Sequence, residues 1–126
     1  ELDLTALQET FLASEWADRQ PVELETSVET VIDGIAIRGR IDAVFREGPD
    51  WVLVDWKTGR TPSGPQVERR AMQLATYAVA WARLREVPAQ RVRAAFYFAG
   101  DGTTVWPELP DEEQLASALR EAVNAE

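Results

Sequence analysis

Apolar residues recur along the chain at two spacings, and each spacing predicts one kind of element. Steps of three and four, which mark one face of a helix, run through residues 3–17 and again through residues 66–86. A third helix is predicted after Pro110, where Asp111 and Gln114 form a capping pair. The three helical stripes are Leu4, Leu7, Phe11, Leu12 and Ala17; Val67, Ala71, Leu74, Ala78, Trp81 and Arg85; and Leu115, Leu119 and Ala122.

Strand-like segments separate the first two helices. Residues 22–32 and 35–46 carry apolar residues among charged and hydroxyl ones, and Asp33-Gly34 between them is typical of a type I′ hairpin turn. Residues 51–57 begin with the uninterrupted apolar run Trp51-Val52-Leu53-Val54. Such a run predicts burial on both faces, and therefore a central strand.

Two further strands are predicted at residues 91–98 and 103–106, on either side of the turn Gly100-Asp101-Gly102. The resulting order, α-β-β-β-α-β-(β)-α, predicts an α/β protein with a mixed central sheet flanked by helices, in one domain over residues 1–126. Because the first residue is Glu1 and the only methionine is Met72, we expect the chain to be a piece of a longer polypeptide.

Composition narrows the possible chemistry. The sequence has no cysteine and no histidine, which excludes disulfides, iron–sulfur clusters, thiolate zinc sites and histidine-based catalysis within this segment. Catalysis would have to use carboxylates, lysine, hydroxyls or a metal ion bound through oxygen.

No apolar stretch has the length of a membrane span and no secretory leader is recognisable, so we expect a cytoplasmic protein with no membrane partner.

The net charge of −9 is unevenly distributed. Residues 1–37 and 107–126 are strongly acidic, whereas residues 38–106 hold eleven basic and seven acidic side chains. Solvated surface arginines are one explanation of the basic middle region. An anionic substrate held there accounts better for the asymmetry.

Strand pairing is expected to bring three charged residues together. If the second and third strands pair with Arg46 opposite Trp51, the same register places Asp42 opposite Asp55, with their Cβ atoms about 5 Å apart. Lys57 follows Asp55 by two residues, so both side chains lie on one face of the strand. Lys57 is also the only lysine in a chain whose other twelve basic residues are arginine.

Two carboxylates that face each other repel unless a cation lies between them. Lys57 alone could partly neutralise Asp42 and Asp55, which would make the group a small ion-pair cluster at the end of the sheet. A divalent ion that prefers oxygen ligands, such as Mg²⁺, accounts better for both carboxylates, because it binds one or two of them together with water and substrate phosphate.

Three motifs in these elements resemble those of the RecB-family nucleases in the PD-(D/E)XK superfamily. They are Gly39-Arg40-Ile41-Asp42, Val54-Asp55-Trp56-Lys57-Thr58-Gly59 and Gln73-Leu74-Ala75-Thr76-Tyr77, and they occur in the order and on the elements typical of the family. The resemblance spans about residues 22–85 and implies a restriction-endonuclease-like αβββαβ core. It further implies a DNA nuclease, of the exonuclease type, that hydrolyses phosphodiester bonds.

The resemblance also implies roles for individual residues. Asp42, Asp55 and the main-chain carbonyl of Trp56 would bind Mg²⁺ or Mn²⁺, and Lys57 would position or deprotonate the attacking water. The products would be a 5′-phosphate and a 3′-hydroxyl. By the same resemblance Gln73 and Tyr77 would lie near the active site and the DNA strand, and Glu25 would match a family glutamate on the preceding strand. Apart from the resemblance, Arg60, Arg69 and Arg70 flank the same region and are expected to contact phosphates, and Arg40 is expected to support the site or contact DNA. A tyrosine at the boundary of the core with its hydroxyl in water is the alternative for Tyr77.

The family resemblance further implies partners. Such domains are often the C-terminal module of a helicase–nuclease in DNA recombination and repair, so motor domains of the same chain or of a partner subunit are expected beside DNA.

Members that cut DNA usually carry one more metal ligand, a histidine on an upstream helix, which has no counterpart here. Either that ligand precedes Glu1, or the chain is a catalytically impaired module that binds DNA or docks a helicase. A restriction-type endonuclease is less favoured, because no separate base-reading element is present.

Overall fold

The computed structural model of the protein describes residues 4–124. Its α-helices are α1 (Leu4–Leu12), α2 (Gly64–Arg85) and α3 (Glu112–Asn124), and its strands are β1 (Glu23–Ile32), β2 (Ile35–Glu47), β3 (Asp50–Lys57), β4 (Val92–Phe98) and β5 (Thr103–Val105). A single 3-10 turn over Ala89–Arg91 precedes β4. The predicted order of elements is therefore confirmed.

The five strands form one sheet in the order β1-β2-β3-β4-β5. All neighbours are antiparallel except β3 and β4, which run parallel and are joined through α2. The sheet is thus mixed, and β3 lies at its centre, as its apolar run predicts. No helix within residues 4–124 combines the length and the apolar character needed to cross a bilayer.

Both predicted hairpins have the expected geometry. Asp33 and Gly34 have φ angles of 52° and 76°, the left-handed conformation that both central residues of a type I′ turn require. In the second hairpin Arg46 pairs with Trp51, which is the register predicted from the sequence. That register determines which side chains share a face at the far end of β3.

Each face of the sheet has its own apolar core. On the face covered by α2, buried residues of the central strands such as Trp51 and Leu53 pack against Leu74 and Trp81 of the helix. On the opposite face, buried aromatic residues cluster beneath α1 and the segment that follows it. That second cluster borders a cavity of about 430 Å³ lined by Phe11, Trp16, Ala17, Arg19, Pro21, Leu24, Phe45, Trp56 and Tyr97.

The first helix is shorter than the predicted span of residues 3–17. It ends at Leu12, and residue 3 lies outside the described residues. Ser14 explains the end, because its hydroxyl donates to the carbonyl of Phe11 at 2.6 Å and accepts the main-chain N–H of Trp16 at 3.3 Å. A side chain that bonds nearby main-chain groups in this way competes with the helix. The turn buries Trp16, whose side chain is 1% exposed and does not belong to the predicted apolar stripe.

Along β1, the side chains at even positions change from one face of the sheet to the other at Glu25. Val28 and Ile32 face α2, whereas Leu24, also at an even position, lines the cavity on the opposite face. Glu25 has a φ of 48°, and regular pairing with β2 omits Glu25 and Asp42 while continuing on both sides of them. A left-handed residue in a strand is uncommon outside glycine and asparagine, and here it coincides with one of the predicted site residues.

The other helices agree with the sequence. α2 begins two residues earlier than predicted, with Pro65 in its first turn, and ends at Arg85, where Glu86 adopts the left-handed capping conformation. The capping pair before α3 is present, since the main-chain N–H of Asp111 and that of Gln114 each donate to the other residue's side chain at 2.9 and 2.7 Å.

The buried Trp16 indole gives a test of the second core. Its N–H donates to the hydroxyl of Thr104 at 3.0 Å, so Thr104→Val should leave a buried donor unsatisfied and lower the free energy of unfolding by about 1–3 kcal/mol. Urea denaturation measures this loss. In a Trp16→Phe background the same Thr104→Val change should cost much less, and equal losses in both backgrounds would contradict the role of this hydrogen bond.

Candidate active site

Asp42 lies where the regular pairing of β2 with β3 stops. The last paired residues on that side are Ala43 and Val54. One step further, Oδ2 of Asp42 accepts the main-chain N–H of Trp56 at 2.8 Å. The carboxylate therefore replaces a strand carbonyl as the partner of β3, and this bond orients Asp42 toward the end of that strand.

Asp55 and Lys57 form an ion pair beside it. The amine of Lys57 lies 3.0 Å from Oδ2 of Asp55, and their side chains are 32% and 16% exposed. The side chain of Asp42 is within hydrogen-bonding reach of Asp55. The structure thus brings Asp42, Asp55 and Lys57 together in one half-buried group, as the strand period predicts.

The surroundings of Asp55 favour its neutral form. Burial, and after it the hydrogen bond with Asp42, raise the pKa of Asp55 to about 6 from its usual value of 3.8, although the adjacent Lys57 lowers it. Removal of a carboxyl from water favours its uncharged form, so this pKa rises even with an amine 3.0 Å away.

Tyr77 closes the group from the helix side. Burial, and after it the charge of Asp55, raise the pKa of Tyr77, so its hydroxyl stays protonated at neutral pH and can act as a donor. The main chain of Arg40 lies close to this hydroxyl and partly offsets the rise of its pKa. Tyr77 therefore connects α2 to the motif on β2 that carries Asp42.

Gly39 makes this approach possible. A Cβ atom at that position would lie 2.2 Å from Cε1 of the Tyr77 ring, a separation that real contacts do not reach. Gly39 opens the first of the three motifs, but the sequence alone does not identify it as a site residue. Its position inside a strand was the available signal, because glycine there often marks a close approach by another group.

Glu25 and Arg40 lie on the exposed outer part of the sheet. They pair with each other at 3.4 Å, with side chains 74% and 64% exposed. No hydrogen bond or ion pair between described residues joins Glu25 to Asp42 or Asp55. Their predicted support of the site remains a prediction.

Three arginines near the site differ from the rest. All twelve arginines fall within residues 4–124. The side chains of Arg60, Arg69 and Arg70 make no hydrogen bond, ion pair or ring contact with described residues, whereas the other side chains bind carboxylates, main-chain oxygens or aromatic faces. Arg70 and Gln73 are exposed on α2, ahead of Tyr77 along the helix. Their guanidinium and amide groups are thus available to an external partner.

The donor set suits a hard divalent cation with few protein ligands. Asp42 and Asp55 supply two adjacent carboxylates, and the raised pKa of Asp55 shows that its charged form is disfavoured, first by burial and then by the hydrogen bond with Asp42. Magnesium sites commonly use one or two carboxylates and complete their coordination with water and phosphate. Within residues 4–124, no cluster contains three or more metal-ligating histidine, cysteine, aspartate or glutamate side chains.

Comparisons with known proteins agree on the fold. A family model described as the PD-(D/E)XK nuclease superfamily matches residues 3–126, and no curated protein matches the chain. Among solved structures, one titled "Crystal structure of SSO0001" is similar, with a TM-score of 0.61 at 20% identity. The match covers 98% of this chain but only 58% of that chain. The predicted restriction-endonuclease-like fold, a mixed sheet flanked by helices, is confirmed.

The pKa of Asp55 predicts how stability depends on pH without added metal. Because folding raises this pKa from 3.8 to about 6, the folded state retains a proton that the unfolded state has lost. The free energy of unfolding should therefore decrease as pH rises between these values and then level off, with a contribution from Asp55 of about 1–3 kcal/mol. Asp55→Asn should remove this contribution.

The measurement compares urea denaturation of the wild type and of Asp55→Asn at pH 4 and pH 7.5 in EDTA. The variant should gain stability relative to the wild type at the higher pH. Asp50→Asn, at the opposite end of β3, is the matched control and should follow the wild type. A gain for Asp55→Asn that is the same at both pH values would contradict the assigned cause.

The contact between Gly39 and Tyr77 predicts a suppressible defect. Gly39→Ala should displace the Tyr77 ring and lower the free energy of unfolding by about 1–3 kcal/mol. In a Tyr77→Ala background the same change should cost much less, as thermal or urea denaturation can measure. Gly64→Ala is the control, because a Cβ there meets no atom within 4 Å. Equal costs in both backgrounds would refute the contact.

Proposed function

Because the chain belongs to the PD-(D/E)XK nuclease superfamily, we propose that it is the catalytic domain of a DNA nuclease that hydrolyses phosphodiester bonds at Asp42, Asp55 and Lys57. The observation that carries the proposal is the half-buried group itself, in which the only lysine of the chain lies 3.0 Å from a carboxylate at the end of the central strand. Two adjacent carboxylates can hold a metal ion, and an amine beside them can stabilise the negative charge that develops on a phosphate.

In this proposal Asp42, Asp55 and the main-chain carbonyl of Trp56 hold Mg²⁺ or Mn²⁺. When bound, such an ion would offset negative charge on the phosphate and lower the pKa of a water molecule. The hydrogen bond from the Trp56 N–H fixes one oxygen of Asp42 and so orients the carboxylate toward Asp55.

Lys57 acts on the reacting groups. Its amine orients the attacking water, or accepts its proton, and then stabilises the negative charge that grows on the phosphate oxygens as the new bond forms. In-line attack at phosphorus leaves a 5′-phosphate and a 3′-hydroxyl. Asp55 holds the amine in place through their ion pair.

The substrate is proposed to approach along α2 and the segment before it. Arg60, Arg69 and Arg70 have no carboxylate within ion-pair distance in the described part of the chain, so phosphate groups can bind them without first breaking a salt bridge. Such contacts give affinity with little sequence preference and weaken as salt increases. Gln73 and Tyr77 would line the same approach nearer to the carboxylates.

The motifs shared with RecB-family nucleases support a more specific assignment. In that assignment the chain is the nuclease module of a helicase–nuclease, acts as an exonuclease on DNA ends in recombination and repair, and works with motor domains in the same chain or a partner subunit. The chain spans little more than half of the solved chain that it resembles, so the larger context is part of the proposal.

A second candidate function is a DNA-binding or helicase-docking module without cleavage activity. The observation that favours it is the two-carboxylate site, because no third metal-ligating side chain joins Asp42 and Asp55 within residues 4–124. Calorimetric titration with Mg²⁺ separates the two functions. Saturable binding that Asp55→Ala abolishes supports the nuclease, and absence of binding in the full-length protein supports the docking module.

The proposed chemistry predicts the effect of two substitutions. Asp55→Ala and Lys57→Ala should each lower the rate of DNA cleavage by the full-length protein at least about 100-fold, while circular dichroism and the melting transition show an intact fold. Arg46→Ala, at the turn end of the sheet, is the control and should cleave normally. Wild-type rates in both site variants would refute the assignment.

A further inference from the structure

The segment that leaves the site after Lys57 is held by three consecutive residues of another turn. The carbonyl of Lys57 accepts the N–H of Ala99 at 2.8 Å, and the carbonyl of Gly59 accepts the N–H of Gly100 at 2.9 Å. The next residue, Asp101, accepts both the N–H and the hydroxyl of Thr61, each at 3.1 Å. We refer to Ala99, Gly100 and Asp101 as the 99–101 clamp.

The clamp lies in the tight turn between β4 and β5. Asp101 donates its N–H to the carbonyl of Phe98 at 3.4 Å, and Gly102 has a left-handed φ of 66°. The carboxylate of Asp101 therefore projects from a short, well-defined turn that follows β4, in which every residue except Arg93 is buried. Such a turn fixes the position of the Asp101 main chain, and therefore the point from which its carboxylate extends.

Gly100 permits main-chain contact at the centre of the clamp. A Cβ atom there would lie 2.6 Å from the carbonyl carbon and oxygen of Gly59 and 2.7 Å from the nitrogen of Arg60. These are main-chain atoms, which cannot move aside as a flexible side chain can. The turn thus packs directly on the segment that follows Lys57, and the fit leaves no room for a side chain.

Asp101 is ionised when it binds Thr61. Burial alone would raise the pKa of Asp101. The hydrogen bonds from Thr61 and the charge of Arg60 nevertheless hold this pKa below its usual value. Its hydrogen bonds to Thr61 are therefore charge-assisted, which makes them stronger than neutral ones.

Arg60 lies between two residues that the clamp holds. Gly59 and Thr61 are each fixed by hydrogen bonds, so the main chain of Arg60 has a defined course even though its guanidinium makes no ion pair. The charge of Asp101 attracts the guanidinium without binding it. We propose that Asp101 is a positioning residue, which through Thr61 fixes the segment after Lys57 and presents Arg60 to a DNA phosphate.

This inference rests on the proposed function for the identity of the ligand, but its test needs no cleavage. Hydrogen–deuterium exchange reports the order of the segment, and fluorescence anisotropy with a labelled DNA oligonucleotide in EDTA reports binding. Asp101→Ala should speed exchange of the Thr61 amide, which donates to Asp101, at least about tenfold and weaken DNA binding about three- to tenfold, because a freed segment must be ordered again on binding. The melting temperature should change little, because Asp101 is exposed.

Matched variants separate positioning from general loss of structure. Thr61→Val removes the hydroxyl and should reproduce part of both effects, whereas Thr61→Ser keeps both donors and should behave as the wild type. Asp50→Ala, which removes an exposed aspartate paired with Arg91 at the other end of β3, should change neither measurement. In an Arg60→Ala background, Asp101→Ala should weaken DNA binding no further.

Three results would overturn the proposal. Unchanged exchange of the Thr61 amide in Asp101→Ala would show that the clamp does not order the segment. Faster exchange with unchanged DNA binding would show that the order has no functional consequence, and additive losses with Arg60→Ala would show that Asp101 acts elsewhere. Failure of the proposed function has a different signature, namely a wild-type protein that binds DNA through Arg60 and yet cleaves nothing with Mg²⁺.

Discussion

The hydrogen bond from the main-chain N–H of Trp56 to Asp42 holds the site together. Regular pairing between β2 and β3 ends at Ala43 and Val54, and this bond continues the connection by one residue with a side chain. As a result a carboxylate stands where a carbonyl would otherwise be, directly beside Asp55. The rest of the site follows from this replacement, because the period of the strand then places Lys57 against the same carboxylates.

The surrounding sheet offsets the strain of that arrangement. A carboxylate that is removed from water beside a second one is unfavourable, and burial, followed by Asp42, raises the pKa of Asp55. The residues just behind them, Val44, Leu53 and Val54, are completely buried and belong to the two apolar cores. A site of this kind persists when well-packed neighbours leave its side chains no alternative. The paired carboxylates of Asp42 and Asp55 thus lower stability, whereas the buried residues one or two positions away in the same strands raise it.

Local rules predicted most of the fold. The type I′ turn at Asp33-Gly34, the central position of β3 and the register of Arg46 with Trp51 all follow from the turn residues and the apolar pattern, and the structure agrees. The features that the sequence did not reveal depend on distant contacts or on unusual backbone. The burial of Trp16 depends on Thr104 in a distant strand, and the left-handed Glu25 has no glycine or asparagine to indicate it.

The candidate site also has one part that the sequence predicts and another part that depends on distant contacts. Asp42, Asp55 and Lys57 lie on two adjacent strands, so pairing and the two-residue period suffice to predict that they meet. The contact of Tyr77 with Gly39 and the clamp on Thr61 join elements far apart in sequence, and no local pattern encodes them. Roles that rest on the resemblance alone, including that of Glu25, remain predictions.

Trp56 links the two faces of the sheet within a single residue. Its main chain bonds the carboxylate of Asp42, while its indole lies on the opposite face, in edge contact with Phe11 and Tyr97 at 5.7 and 5.8 Å. The carboxylate of Asp42 is therefore one main-chain hydrogen bond away from a residue whose indole packs among aromatic side chains outside the site. Since the Trp56 indole lies so close, we expect its fluorescence emission to respond to a ligand that moves this carboxylate.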